Sequence, residues 1–331
     1  MPRPFCQEDG TMPAGSYTYS AVMMGSPILL KLFDHDETLA RNVFRLIKQQ
    51  ENSLTVNRNA SEVMAINHAA GQHAVVVSQP VFDLIARARA VSVLPGSCFN
   101  CTIGPLVKRW KIGFRGSSVP PADELRGLLA LTDPHQVILD AGARSVFLQQ
   151  AGMEIDLGAI AKGYIADVVR DYLRQQQVAH ALINLGGNVQ TLGDSGGQAW
   201  GIGLKQPFGR DDELIGVINV TGKSVVTSGI YERYFELDGR LYHHILDPQS
   251  GYPLDNELLS VTIVSENSID GDIWTTLMYG MGVEKGLVYL GDYPHIEAIF
   301  VTRDRQVICS SQRQFRFTLS DARYRLTDNT V

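Results

Sequence analysis

Hydrophobic and polar positions along this chain switch repeatedly between two periods. "SPILLKLFD" (26–34) is a short apolar run that predicts a strand. The next stretch, "DETLARNVFRLIKQQEN", changes to helical spacing, with Leu39, Val43, Leu46 and Ile47 on one side. A second amphipathic helix is predicted through "PVFDLIARARAVSVL", where Pro80 suits the first turn. "GSSVPPADELRG" reads as a surface loop leading into a short helix. Further on, the strand patterns "HALINLGG", "WGIGLKQP" and "LLSVTIVS" alternate with only two clear helices, one starting near Ile160 and one near Asp270. Strands in this number with so few helices predict an α+β fold rather than a doubly wound sheet. No repeat, low-complexity tract or linker marks a place to cut the chain.

Composition narrows the function more than the fold. The 331 residues are 44% hydrophobic and 19% charged, as in an ordinary globular protein. A net charge of −6 argues against a broad nucleic-acid-binding face. It also means that a polyanionic ligand needs locally placed cations or a metal ion. No apolar run approaches the ~20 residues of a membrane span, so no membrane insertion is expected. The N-terminus shows no signal peptide or lipobox, and a cytoplasmic location is expected, although an exported protein stripped of its leader reads the same. Of Cys6, Cys98, Cys101 and Cys309, only "CFNC" forms a pair, without a second pair at zinc spacing. Reduced, mostly buried thiols are the expectation.

Three stretches can carry chemistry. In "EIDLGAIAKGYIADVV" a strand is expected to end at Asp156, followed by small residues and a helix carrying Ile160, Tyr164, Ile165, Val168 and Val169 on one side. Such a junction lets an anion approach free backbone N–H groups. Lys162 falls in the first helical turn, where its charge opposes the helix dipole. It points either to solvent or to a phosphate. In "NSIDGDIWTTLMYGMG", Asp270 or Asp272 is expected to cap a helix, and Asp272 and Thr276 share a face. A carboxylate and a hydroxyl are hard oxygen donors suited to Mg²⁺ or Ca²⁺, but taken alone they read more readily as a cap and a satisfied threonine. The third stretch, "VTSGIYERYFELDGRLYHHILDPQSGYP", predicts a hairpin turning at Asp-Gly, with "LYHHILD" returning. Alternation places His243 and His244 on opposite faces, and nothing local says which one serves a site. Two phosphate-loop patterns fail on spacing. "GVINVTGKS" has five residues between its glycines where the motif needs four, and reads as a hairpin turn; "INLGGNVQTLG" lacks the dinucleotide spacing, although Gly186 and Gly187 permit close backbone approach.

Taken together and in order, "EIDLGAIAKGY", "NLGGN", "VVTSGIYERYF", "HHILDPQSGYP" and "DIWTT" resemble the FAD:protein FMN transferase family, also called ApbE. "MMGSPILLKLF", "SEVMAINHAAG" and "FNCTIGPLVKRW" extend the resemblance over roughly residues 20 to 300. The resemblance implies a single α+β domain over 19–331 with mixed and antiparallel sheets and flanking helices, preceded by an extension at 1–18. It implies that FAD is the substrate, that Mg²⁺ is the cofactor, and that the FMN half moves to a Thr or Ser hydroxyl of an acceptor flavoprotein, releasing AMP. By resemblance, Asp272, Thr276 and the carbonyl of Ala159 bind the metal. Met24, Asn57, Cys98, Phe99, Asn100, Asp156, Lys162 and Leu246 contact the flavin nucleotide, and His244 stands nearest the reaction. Asn100 replaces an aspartate of many members, and Asn57 a tyrosine of some. A metal-dependent FAD pyrophosphatase and a non-catalytic flavin-binding protein are the competing readings.

Overall fold

The computed structural model describes residues 15–114 and 116–328. Cys6 and residues 1–14 of the expected extension lie outside the described residues, and Tyr17 already opens the first strand. The chain forms two compact units, each assembled from separate stretches of sequence. One comprises residues up to Lys48, Lys162–Gly229 and Glu257 onward; the other comprises Gln49–Ala161 and Ile230–Asn256. Because the chain crosses between units four times, neither is a contiguous run, which explains why no linker is visible in the sequence.

The first unit is built on a nine-stranded sheet. Its order is Tyr17–Met23, Ser26–Leu32, Ala181–Leu185, Asn188–Leu192, Ser224–Gly229, Leu258–Ser265, Glu297–Thr302, Gln306–Cys309 and Arg325–Asp328. All neighbours are antiparallel except the last pair. Successive strand residues face opposite sides, so the sheet buries two apolar faces. Val225, Val264, Ile299 and Val301 pack with Trp200, Leu204, Ile215, Ile218 and Phe317 from a three-stranded sheet. The Ser268–Leu290 helix packs on the central strands 188–192, 224–229 and 258–265. Gly271 brings that helix close, since a Cβ there would stand 2.4 Å from Val226 Cγ2.

The second unit holds a small antiparallel sheet of Val75–Val76, Ser145–Leu148 and Val137–Asp140, several helices and the hairpin Tyr234–Leu237/Arg240–His243. Leu106, Trp110, Ile112, Leu125 and Leu246 form a core beneath it. The hairpin turns at Asp238 and Gly239, with φ of 51° and 74°, the two positive values a tight hairpin turn needs.

The α+β class and the principal strands and helices follow the sequence pattern. Three local expectations do not. The "EIDLG" stretch is not a strand: Met153, Ile155 and Leu157 alternate inward as in one, but their backbone has no strand beside it. Instead Asn67 brackets Ile155 through both its side-chain atoms, at 2.7 and 3.0 Å, and Asp156 N–H donates to Cys101 O at 2.9 Å. "VTGKS" is not a hairpin turn, because Leu214–Val220 and Ser224–Gly229 belong to different sheets. Finally, neither Asp270 nor Asp272 caps its own helix; that position is Asn267. No helix among the described residues is long and apolar enough to cross a membrane.

Candidate active site

In the first unit, two helix starts and two hairpin turns supply the candidate residues. The Ala161–Gln175 helix begins with Lys162 in its first turn, and Gly163 lies against the start of the Ser268–Leu290 helix. A Cβ at Gly163 would stand 2.3 Å from Ser268 O, so only glycine permits this approach. The closeness lets each helix cap the other. Asp272 Oδ2 accepts from Gly163 N–H at 2.6 Å. In return, Asp167 accepts from Ser268 and Ile269 N–H at 2.8 and 2.9 Å. Arg170, itself buried, bonds Asp167, Glu266 O and Asn267 Oδ1, fixing the segment that leads into the second helix.

Asp272 is the most perturbed group here. Its other oxygen, Oδ1, accepts from Asn188 Nδ2 at 2.9 Å. Burial pushes its pKa up to about 7, opposed by the Gly163 and Asn188 hydrogen bonds and by Lys162. The residue nevertheless keeps accessible surface, as does Thr276 one turn later. Thr276 Oγ1 lies 3.4 Å from Asp272 O, a weak contact, whereas Thr275 is fully buried and bonded to Asp272 O and Ser228. Thus Thr275 is the satisfied threonine and Thr276 the accessible one. Among the described residues, no group of three or more His, Cys, Asp or Glu is placed to hold a metal. A cation at Asp272 and Thr276 therefore needs further oxygens from backbone, water or substrate phosphates. These oxygen-only, partly buried donors suit a hard cation such as Mg²⁺.

Lys162 Nζ donates to Gly186 O at 3.4 Å, so its side chain runs to the Gly186–Gly187 turn rather than out into solvent. That turn has φ of 67° and 94°, and a Cβ at Gly186 would meet Ser26 Cβ at 2.5 Å. Ser26 follows the Met24–Gly25 turn, where Met24 holds φ of 51°. A non-glycine residue in that region carries strain of about 1 kcal/mol. Lys162, the Gly186 turn and the Met24 turn therefore adjoin.

In the second unit, Asp156 lies in the turn before Gly158, whose N–H it accepts at 2.7 Å. Burial raises its pKa against that bond and against Lys108 and Arg233. Ala159 lies in the following turn. Phe99 and Leu246 are 2% and 5% exposed, so contact with a ligand falls to their main chain. Asn100 is occupied: its amide donates to Thr132 O and accepts from Thr102 N–H and Oγ1. A cleft of about 410 Å³ opens beside it, lined in part by Phe99, Asn100, Thr132 and Pro248. Asn57 is exposed in the loop after the Glu37–Leu54 helix. Cys98, Cys101 and Cys309 are unbridged, and burial pushes the Cys101 thiol to about 11, away from reactivity.

The two histidines separate clearly. His243 is buried; its Nε2–H donates to Leu254 O at 2.8 Å and its Nδ1 accepts from Ile245 N–H at 3.3 Å. Both nitrogens of a neutral ring are thereby used in holding the hairpin. His244 lies just past the strand end and keeps accessible surface. Its Nδ1 lies 3.2 Å from Arg233 O; a carbonyl only accepts, so Nδ1 carries the proton and Nε2 the basic lone pair. Asn188, Ser268, Asp167 and Arg170 were not among the residues the sequence singled out. Asn188 stands inside "NLGGN", but its role depends on a helix eighty residues away.

The family model for the ApbE family matches residues 24–300. An FAD:protein FMN transferase of Klebsiella pneumoniae (strain 342) is 63% identical over 315 residues, covering 95% of this chain and 98% of that protein. One of Treponema pallidum (strain Nichols) is 39% identical, covering 85% and 82%. Among solved structures, the apo form of the Pseudomonas stutzeri flavinyl transferase ApbE is 28% identical, with a TM-score of 0.76 over 93% of this chain and 95% of that one.

Proposed function

The chain belongs to the ApbE family and is a flavin transferase working between FAD and protein, and from that premise we propose the finer reaction. In it, a Thr or Ser hydroxyl of an acceptor protein attacks the FMN-side phosphorus of FAD. The P–O bond to the adenylate breaks, AMP leaves, and the flavin stays on the acceptor as a phosphodiester. Asp272, Thr276 and the Ala159 carbonyl hold Mg²⁺, which when bound neutralises charge on the pyrophosphate oxygens.

The chain's own residues take the remaining roles. Lys162, set at a helix start beside a glycine turn, holds a phosphate oxygen. Met24, Asn57, Asp156, Leu246 and the Cys98–Phe99–Asn100 stretch contact the nucleotide, with Phe99 and Leu246 doing so through backbone. His244 Nε2 takes the acceptor's hydroxyl proton, because the Arg233 carbonyl holds the proton on the other nitrogen. The observation that supports this most is Asp272: an accessible carboxylate with each oxygen held by one donor and a lysine close by. A purely structural cap has no need of accessible surface.

Incubation with FAD, Mg²⁺ and a candidate acceptor flavoprotein tests the reading by intact mass and by AMP release. A mass gain of one FMN less water on a Thr or Ser, matched by AMP, is expected. FMN and AMP in solution with an unmodified acceptor would favour hydrolysis instead.

A further inference from the structure

We propose that Asn188, backed by Ser268, is a positioning residue that presents the Asp272 carboxylate to its cation in one orientation. The inference rests on the metal reading of Asp272 given above. Asn188 is 3% exposed and Ser268 is fully buried, so neither meets solvent or substrate directly. The Ser268 hydroxyl donates to Asn188 Oδ1 at 2.6 Å. That bond turns the amide so that Nδ2 donates to Asp272 Oδ1 at 2.9 Å. Gly163 N–H holds the second oxygen at 2.6 Å. Two donors from two different elements therefore fix the carboxylate plane and leave its remaining lone pairs for an ion.

Asn188 is not itself a ligand, because what it turns toward Asp272 is a donor and a cation needs an acceptor. An amide suits the position. A carboxylate there would repel Asp272, and an apolar side chain would leave Oδ1 without its donor. Groups that orient a metal's ligands typically alter its affinity by about 10- to 100-fold when removed. The Asn188–Ser268 pair also joins the Gly186–Gly187 hairpin to the start of the Ser268–Leu290 helix, so a role confined to holding the fold is the alternative to be separated.

The test uses Mn²⁺ as the probe, read by loss of the free-ion paramagnetic resonance signal, with ADP as a pyrophosphate that cannot transfer flavin. Asn188→Ala should weaken Mn²⁺ binding about 10- to 100-fold, while ADP binding without metal stays unchanged. Ser268→Ala, which only releases the amide, should give a smaller loss in the same direction and serves if Asn188→Ala fails to fold. Wild-type Mn²⁺ binding in both variants overturns the proposal. So does a loss of metal-free ADP binding equal to the loss of Mn²⁺ binding, which would mark a role in the fold alone. Asp272→Asn is the control for the underlying reading: if it too binds Mn²⁺ normally, the metal assignment itself falls.

Discussion

Asp167 and Asp272 each close the start of the other's helix. Asp167 accepts the first two amides of the Ser268–Leu290 helix, and Asp272 accepts Gly163 N–H of the Ala161–Gln175 helix. The candidate metal carboxylate is therefore built into a structural joint. Asp167 also pairs with buried Arg170 at 2.9 Å. Asp167→Ala should lower unfolding free energy by about 2 kcal/mol, since it strips two helix amides of their acceptor and leaves buried Arg170 with Asp171 as its remaining carboxylate partner. Urea unfolding checks this; a loss below about 1 kcal/mol would mean the joint is not stabilising.

The raised pKa of Asp272 gives the proposed Mg²⁺ site a pH signature. Its folded pKa is about 7 against 3.8 normally, so the metal-free native state holds a proton that the unfolded chain releases. This group's contribution is therefore fully present below about pH 4 and is lost as pH rises through about 7. A cation must displace that proton and gains most where it is already gone. Mg²⁺ should raise the melting temperature more at about pH 8 than at about pH 5. In Asp272→Asn the difference should vanish. Equal shifts at both pH values in the unaltered chain would contradict the assignment.

Lys162 tests the phosphate contact. A charge-assisted hydrogen bond of about 1.5–3 kcal/mol, made equally in the ground and transition states, corresponds to roughly 10- to 100-fold in affinity. Lys162→Met should raise KM for FAD by that amount and change kcat little. Steady-state kinetics showing the reverse, a fallen kcat with unchanged KM, would place the lysine at the transition state.

The sequence carried the fold class because the β-rich run Leu258–Ser265, buried on both faces, and the period of 3.6 in Ala161–Gln175 are strong signals. It singled out Asp272, Thr276 and Lys162 as candidates through local spacing and resemblance and His244 through resemblance alone, and it carried the Asp238–Gly239 turn through its own chemistry. It missed the irregular backbone at Asp156 because Met153, Ile155 and Leu157 alternate inward as a strand does, while the partners that replace a ladder, Asn67 and Cys101, lie far away in sequence. The capping of the Asp272 helix was misread for the same reason. The carboxylate that does it, Asp167, sits a hundred residues upstream. Such long-range pairings leave no trace in one sequence.

The adjacent histidines give a paired prediction. His244→Asn should lower kcat by about 10²- to 10⁴-fold with little change in FAD affinity, the usual worth of general base catalysis. His243→Asn should spare kcat but cost about 1 kcal/mol of stability, because it removes the hydrogen bond that ties the hairpin to Leu254 O. Rates and urea midpoints for both variants check this. A catalytic loss confined to His243→Asn would reverse the assignment, and no loss in either would place the base elsewhere.

The most direct test of the central claim follows the flavin itself. The chain is mixed with FAD, Mg²⁺ and total protein from cells that lack it, and flavin fluorescence is then read from a denaturing gel. Metal-assisted transfer predicts at least one fluorescent protein band, absent without Mg²⁺ and absent with Asp272→Asn, with AMP released alongside. FAD consumed to free FMN and AMP while no protein becomes fluorescent would contradict it.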